Sequence, residues 1–253
     1  MELDVLGCGG GIGTGERTTA FRVNGRLLID AGTGVEALTL ADMEAIEAIV
    51  VTHTHLDHTA YLAYLADSLH GRIQRTIPVY GRSETLQGLR DHLFNGVLWP
   101  DFTRLPPERP VFSLEPLEPG ESRTIAGLEV RAIGVNHVVP TQGYWVDDGE
   151  RAFAFSGDTT TNGGLWEALN ARPRLDALLV EAAFADEDAG LCELARHYCP
   201  RLLAADMAAL EHHPPVYISH RKPGDEDRIL AECRAALPDR TVHGLSSGTR
   251  LTL

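Results

Sequence analysis

An apolar run, Ala45–Val51, opens directly onto Thr52-His53-Thr54-His55-Leu56-Asp57-His58, and no other feature restricts the fold as much. A run of that composition reads as a buried strand. It can lead into three imidazoles and a carboxylate only if the strand ends there, at an open sheet edge. On an extended segment residues two apart point to the same side, so His53 and His55 share a face and can grip one cation. Asp57 and His58 follow where the chain turns toward an expected helix, Thr59–Leu69, and can reach a second cation beside the first. Imidazole and carboxylate without clustered thiolates suit zinc, with manganese or iron as alternatives. Spare coordination positions favour hydrolysis over a purely structural ion.

The chain as a whole sets broad limits. At 253 residues, with 43% hydrophobic and 23% charged content, it can build a substantial core, and the expectation is a single α/β domain over residues 1–253. No apolar segment reaches the ~18 residues that suggest a membrane span. The start, Met1-Glu2-Leu3-Asp4, lacks the basic region of a secretory leader. The expected location is therefore the cytoplasm, with no membrane partner. Cys8, Cys192, Cys199 and Cys233 match neither a metal knuckle nor a disulfide framework, so they are expected to be reduced and mostly buried. The formal charge of −14, from 36 acidic against 22 basic residues, argues against an extended nucleic acid as partner, because no long basic footprint is available. A small anion stays open, since metal ions and a few arginines can hold one phosphate whatever the net charge. Lys222 is the only lysine.

Read in order, residues 1–8 form a strand and a glycine-rich loop runs from Gly9 to Gly15. Thr19–Ile29 is a hairpin turning at Asn24-Gly25. The glycines of the loop resemble a nucleotide-binding turn in composition only, since a hairpin follows where such motifs need a helix. They are expected instead to let the backbone pass close to the metal centre. Helices are expected at Val35–Met43, Thr59–Leu69, Ser83–Phe94, Gly164–Asn170, Cys192–Ala195, Pro200–Glu211 and Asp225–Ala236. Further strands are expected at Ile77–Tyr80, Val111–Leu117, Glu121–Ile125, Leu128–Asn136, Gly143–Asp147, Ala152–Ser156, Ala177–Val180 and Val216–Ile218. Trp99-Pro100-Asp101-Phe102 and Pro106-Pro107 mark a loop able to wall a pocket.

Three of these strands end at a further donor: Val135-Asn136-His137, Phe155-Ser156-Gly157-Asp158 and Tyr217-Ile218-Ser219-His220. Placed on one sheet edge, they complete two sets. His53, His55 and His137 would hold one metal, Asp57, His58 and His220 the other, and Asp158 would bridge both.

In that order of donors the chain resembles the metallo-β-lactamase superfamily, marked by HxHxDH, a later histidine, a bridging aspartate in a GD turn and a final histidine after a strand. The resemblance implies a four-layer αββα sandwich with the metals at the sheet edges. It also implies that Asp30 supports the loop carrying the first ligands. Within the superfamily the chain looks like the class II 3',5'-cyclic-nucleotide phosphodiesterases, nearly end to end. The likeness rests on the HxHxDH run, Trp99-Pro100-Asp101-Phe102 and His220-Arg221-Lys222-Pro223. Arg17-Thr18-Thr19, Asn136-His137, Ser156-Gly157-Asp158-Thr159, and Glu181 with Phe184 add to it. Ala60-Tyr61 and Arg196-His197-Tyr198 depart from that pattern, and both can reshape the pocket. His197 still matches a histidine of the family stretch.

The resulting expectation is a dinuclear hydrolase that opens cAMP or cGMP to the 5'-monophosphate through a metal-bound hydroxide. Asp57, Asp158 and His197 are its candidate catalytic residues and two divalent ions, zinc first, its cofactors. The expected partner is a small-molecule phosphodiester, and a homodimer is compatible with the sequence. A ribonuclease Z-like phosphodiesterase, a thioesterase or lactonase, and a non-catalytic metal-binding protein remain the alternatives.

Overall fold

In the computed structural model, which describes residues 1–13 and 15–253, the short apolar runs form two facing sheets. The first contains β1 (Glu2–Gly7), β2 (Ala20–Val23), β3 (Leu27–Ile29), β4 (Ala48–Val50), β5 (Ile77–Gly81) and β6 (Phe112–Pro116), in that order across the sheet. The second contains β7 (Ser122–Ile125), β8 (Leu128–Val135), β9 (Thr141–Asp147), β10 (Ala152–Phe155), β11 (Ala177–Glu181), β12 (Val216–Ser219) and β13 (Val242–Gly244), again side by side. The last strand, β14 (Arg250–Thr252), returns to the first sheet and pairs antiparallel with β1.

Alternation along the strands separates the layers. In β8, Leu128, Val130 and Ala132 point inward and meet Phe21, Val23, Ile29 and Val50 of the first sheet, while Ile133 faces the opposite side. Helices cover both outer faces. Against the first sheet lies α2 (Leu56–Leu69), following the short α1 (Leu40–Ala45). Its Leu62, Leu65, Ala66 and Leu69 recur at helical spacing and pack on Leu28, Ile49, Val51 and Val79. α3 (Ser83–Gly88) lies on the same side. The second sheet is covered by α4 (Gly163–Asn170), α6 (Pro200–Met207) and α7 (Glu226–Ala236), with α5 (Ala189–Ala195) between α4 and α6 in the chain. Trp166, Leu203 and Ile229 meet Trp145, Leu178 and Ile218 there. The result is the expected αββα order, helix, sheet, sheet, helix.

The hairpin turns at Asn24-Gly25 as expected, with both residues at positive φ, 48° and 72°, and Arg26 N donating to the Val23 carbonyl at 3.0 Å. Val23 pairs with Leu27, however, and the loop therefore holds three residues. Several boundaries differ from expectation. The helix expected over Val35–Met43 is split into a tight turn over Thr33–Ala37 and a fresh start at Leu40. Thr39 causes the break by trading bonds with Asp42: its Oγ1 accepts from Asp42 N at 3.2 Å, and its own N–H donates to Asp42 Oδ2 at 3.0 Å. α2 begins at Leu56, not Thr59, which puts Asp57 and His58 in its first turn. The expected Ser83–Phe94 helix stops at Gly88 and continues as a wider π turn over Leu89–Leu93. Pro200–Glu211 ends early, at Met207. β13 and β14 were not anticipated, because three residues carry no periodicity and only their neighbours β12 and β1 make them strands. All four cysteines are free and buried, and no helix among the described residues is long and apolar enough to cross a membrane.

Candidate metal centre

Strand ends on one edge of the sandwich deliver every anticipated donor. Beyond β4 come His53 and His55, beyond β8 His137, beyond β10 Asp158 and beyond β12 His220, while Asp57 and His58 enter from α2. The ligating atoms of His53, His55, His137 and Asp158 all lie within 4.8 Å of one another, and so do those of Asp57, His58, Asp158 and His220. Asp158 belongs to both groups. It stands 3.7 Å from His53 Nε2, 3.3 Å from His58 Nε2 and 3.2 Å from His220 Nε2.

The surrounding hydrogen bonds aim the rings. Asp30 is fully buried; its Oδ1 accepts from Thr52 N at 2.7 Å, and its Oδ2 pairs with Thr52 Oγ1 at 2.8 Å and His58 Nδ1 at 2.7 Å. His58 thus donates from Nδ1 and presents Nε2 to the centre, where displacement of its proton would leave a lone pair for a cation. Because Thr52 gives its proton to Asp30, its oxygen accepts from His53 Nδ1 at 3.0 Å, and His53 is left with a free Nε2. His137 Nδ1 donates to the Arg196 carbonyl at 3.0 Å, while its Nε2 faces His55 Nδ1 at 3.4 Å. Partners of this kind fix tautomer and orientation in metal sites.

Those nitrogens test whether a cation fits. Among the described residues, His53 Nε2 and His58 Nε2 are buried side-chain atoms without a hydrogen-bond partner. Leaving such atoms unpaired in a protein interior is costly, and a cation between them and Asp158 removes the penalty. The donor set is therefore that of a divalent-metal site. Charge behaves accordingly. Burial drives His53 well below the ordinary histidine pKa, and His55 and His137 are lowered by burial as well. Burial also acts against a charge on His58, but Asp158 and Asp30 on either side outweigh it and raise the ring well above its ordinary value. For Asp158 burial is overcome by His220 and His58, and for Asp57 by the His220 hydrogen bond and His58, so both carboxyls sit below the usual range.

Backbone strain gathers at the same place. Asp30, Arg196 and His220 adopt φ of 57°, 52° and 57°, a region non-glycine residues seldom occupy. The glycine loop passes against His220 as expected: a Cβ on Gly10 would lie 2.4 Å from the His220 carbonyl oxygen. Thr14, within that loop, lies outside the described residues.

His197 comes to the rim of both donor groups. Its ring stacks on His220 at 5.1 Å between centroids and stands 4.9 Å from His137. Glu181 Oε1 accepts from its Nδ1 at 2.7 Å and from Thr159 N at 2.9 Å, so one buried carboxylate holds both His197 and the turn after Asp158. Burial opposes a charge on His197, but Glu181 prevails and its pKa is raised. Thr52 and the Arg196 carbonyl were missed as ring-orienting groups, and Glu181 was noted without a role. Glu181 ends the apolar β11, so the strand-end rule that found His137, Asp158 and His220 points to it as well.

With fold and donors in place, the lineage is clear. Residues 25–221 match the family described as the beta-lactamase superfamily domain, and the chain belongs to it. Ribonuclease Z of Metallosphaera sedula is 29% identical over 159 residues, 60% of this chain and 50% of the relative. A 3',5'-cyclic-nucleotide phosphodiesterase of Candida albicans is 26% identical over 92 residues, 36% of this chain and 20% of the relative. The crystal structure of unliganded yeast PDE1 shares the fold with a TM-score of 0.85 at 19% identity, covering 100% of this chain and 99% of that one. The chain spans about half the length of the ribonuclease Z relatives from Metallosphaera, Pyrococcus and Thermococcus.

Proposed function

We propose that this protein is a metal-dependent phosphodiesterase that opens a small 3',5'-cyclic nucleotide to the 5'-monophosphate. The observation that carries the reading is the pair of facing donor groups sharing Asp158, whose buried His53 and His58 nitrogens have no other described partner. His53, His55 and His137 would hold one divalent cation, Asp57, His58 and His220 the other, and Asp158 both, with zinc the leading candidate. Such a pair supplies charge stabilisation at a phosphoryl centre and an activated water near neutral pH. The protein supplies the rest. Asp30, Thr52 and the Arg196 carbonyl hold the rings in the ligating tautomer. His197, whose pKa Glu181 raises, donates a proton from Nε2 to the 3'-oxygen as the P–O3' bond breaks. The attacking water forms the new P–O bond and releases one proton to solvent, and solvent returns a proton to His197.

The size of the substrate is argued from charge. A chain of net charge −14 with a single lysine is a poor match for a long polyanion, whereas one phosphate needs only the cations. A specific observation favours a second reading, since most curated relatives carry the name ribonuclease Z. Phosphorus NMR separates the two. 3',5'-cyclic AMP is incubated with zinc- or manganese-loaded protein beside His55→Ala and chelator controls, and a tRNA precursor is assayed in parallel on a gel. Metal-dependent 5'-AMP supports the proposal. An unchanged spectrum with the precursor cleaved transfers the function to RNA, and no reaction in either arm overturns both.

A further inference from the structure

The two residues flanking His55 do not ligate, yet they are placed as deliberately as those that do. Leu56 is 65% exposed between two candidate ligands. Thr54 and Leu56 form one wall of a largely apolar cavity of about 230 Å³, whose opposite wall comes from the end of α3, the π turn and the loop after it. This cavity opens beside the metal centre. The cleft at Trp145, Asp147 and Arg174 lies instead at the far ends of the strands.

The opposite wall is built, not incidental. A Cβ on Gly88 would lie 2.8 Å from Thr54 Cγ2, so the glycine lets α3 close on the ligand loop. The π turn that follows keeps Leu89 and Leu93 buried, at 2% and 8% exposure, while His92 stays exposed at the cavity. π turns of this kind are frequent at functional sites. Leu98 completes the wall at 60% exposure. Asn95 Oδ1 accepts from Val97 N at 2.9 Å and Leu98 N at 2.8 Å, so a hydrogen-bonded turn holds this leucine toward solvent.

We infer that this cavity is the subsite for the heteroaromatic base of the nucleotide whose phosphate sits at the metal centre, with Leu56 and Leu98 on its faces and His92 at its polar edge. The inference rests on the phosphodiester reading. Three features choose a base over other occupants. The volume is below the ~300–1,000 Å³ of sites that enclose a drug-sized ligand, which suits one ring system with the rest of the molecule outside. The leucines of the walls can pack against both faces of a flat ring, and the imidazole of His92 gives a ring nitrogen or amino group a hydrogen-bond partner. The cavity is also lined by Thr54 and Leu56, the chain neighbours of His55, and Leu56 is exposed between two donors, which puts the cavity next to the loop that would anchor the phosphate.

The test compares binding of AMP and ribose 5-phosphate to the metal-loaded protein by calorimetry. These probes share the sugar phosphate and differ in the base. The wild type is expected to bind AMP at least about tenfold more tightly, the scale set by desolvating one ring system against aliphatic walls. Leu98→Asp and His92→Ala, both at exposed positions, should reduce that advantage with ribose 5-phosphate affinity and thermal midpoint unchanged. Leu194→Asp, at an exposed leucine outside the cavity, should keep it. Equal binding of both probes by the wild type, or an AMP advantage that survives Leu98→Asp and His92→Ala, overturns the subsite and leaves the phosphodiester reading standing. Binding of neither probe by the wild type overturns that reading, and the subsite with it.

Discussion

Asp30 offers the sharpest test of how this centre is held, because two substitutions there separate structure from tautomer. Its carboxylate is fully buried and bonds Thr52 N, Thr52 Oγ1 and His58 Nδ1 at 2.7, 2.8 and 2.7 Å. Asp30→Ala removes the acceptor from all three. At about 1–3 kcal/mol for each buried group left unpaired, tempered by non-additivity within one network, the loss should be about 3–5 kcal/mol. That is a large part of the ~5–15 kcal/mol that holds a typical domain together. Asp30→Asn keeps the volume and the acceptor for Thr52 N, but places an NH₂ where Oδ2 met Thr52 and His58. His58 Nδ1 must then accept, which moves its proton to Nε2 and blocks the lone pair aimed at the metal. Thr52 must turn its hydroxyl toward His53, with the same effect on that ring. The asparagine variant should fold with a smaller loss than the alanine variant yet bind zinc about 10–100-fold more weakly. Denaturant melts of the metal-free proteins and competition with a chromophoric chelator measure the two effects. Zinc binding as tight as wild type in Asp30→Asn would refute the tautomer argument, and an unshifted melt in Asp30→Ala would refute the network.

Three further outcomes are expected. His55→Ala should lower the zinc content seen by native mass spectrometry from two ions per chain to one, and retention of both would remove His55 from the ligands. Because Asp158 and Asp30 overcome burial and raise His58, a cation must displace its proton at neutral pH. Zinc binding should therefore release protons, seen as a buffer-dependent heat in calorimetry, and tighten as pH rises toward the elevated His58 value; a heat independent of buffer contradicts this. In the metal-free protein the same raised pKa stabilises the fold fully below the unfolded histidine value of about 6.5, and that contribution is lost as pH rises through the folded value. Glu181→Gln removes the charge that raises the His197 pKa against burial. The alkaline limb of kcat should move to lower pH, with kcat reduced by up to about 10²–10⁴ and KM little changed; an unmoved limb would take His197 out of the proton transfer.

The candidate centre was legible in the sequence to the extent that one rule governs it. Val135 precedes His137, Phe155 precedes Asp158 and Ile218 precedes His220, so each distant donor follows a short apolar strand, and parallel or antiparallel neighbours bring those ends to one edge. The orienting contacts were less legible. Thr52 looks like a spacer until its hydroxyl is seen between Asp30 and His53, and Arg196 acts through a main-chain carbonyl, to which residue identity is nearly irrelevant. The split at Thr39 was written in Thr-x-x-Asp but lay inside a stretch read as one helix. β13 and β14 exist only because an existing edge accepts them, and three residues cannot announce that alone.

The donors also divide by sheet. His53, His55, Asp57 and His58 belong to the first sheet and its helix, His137, Asp158 and His220 to the second. Each proposed cation would draw from both, so it would act as a rivet through two plates otherwise joined by side-chain packing and a few hydrogen bonds such as Gln142 N to the Thr52 carbonyl at 3.1 Å. Ligation that exists only when the plates are together stabilises the closed sandwich by mass action. Metal-loaded protein should then unfold at higher denaturant than the stripped protein, whose donor edge is held by packing and by hydrogen bonds such as Gln142–Thr52, Tyr144–Val51 and His220–Cys8.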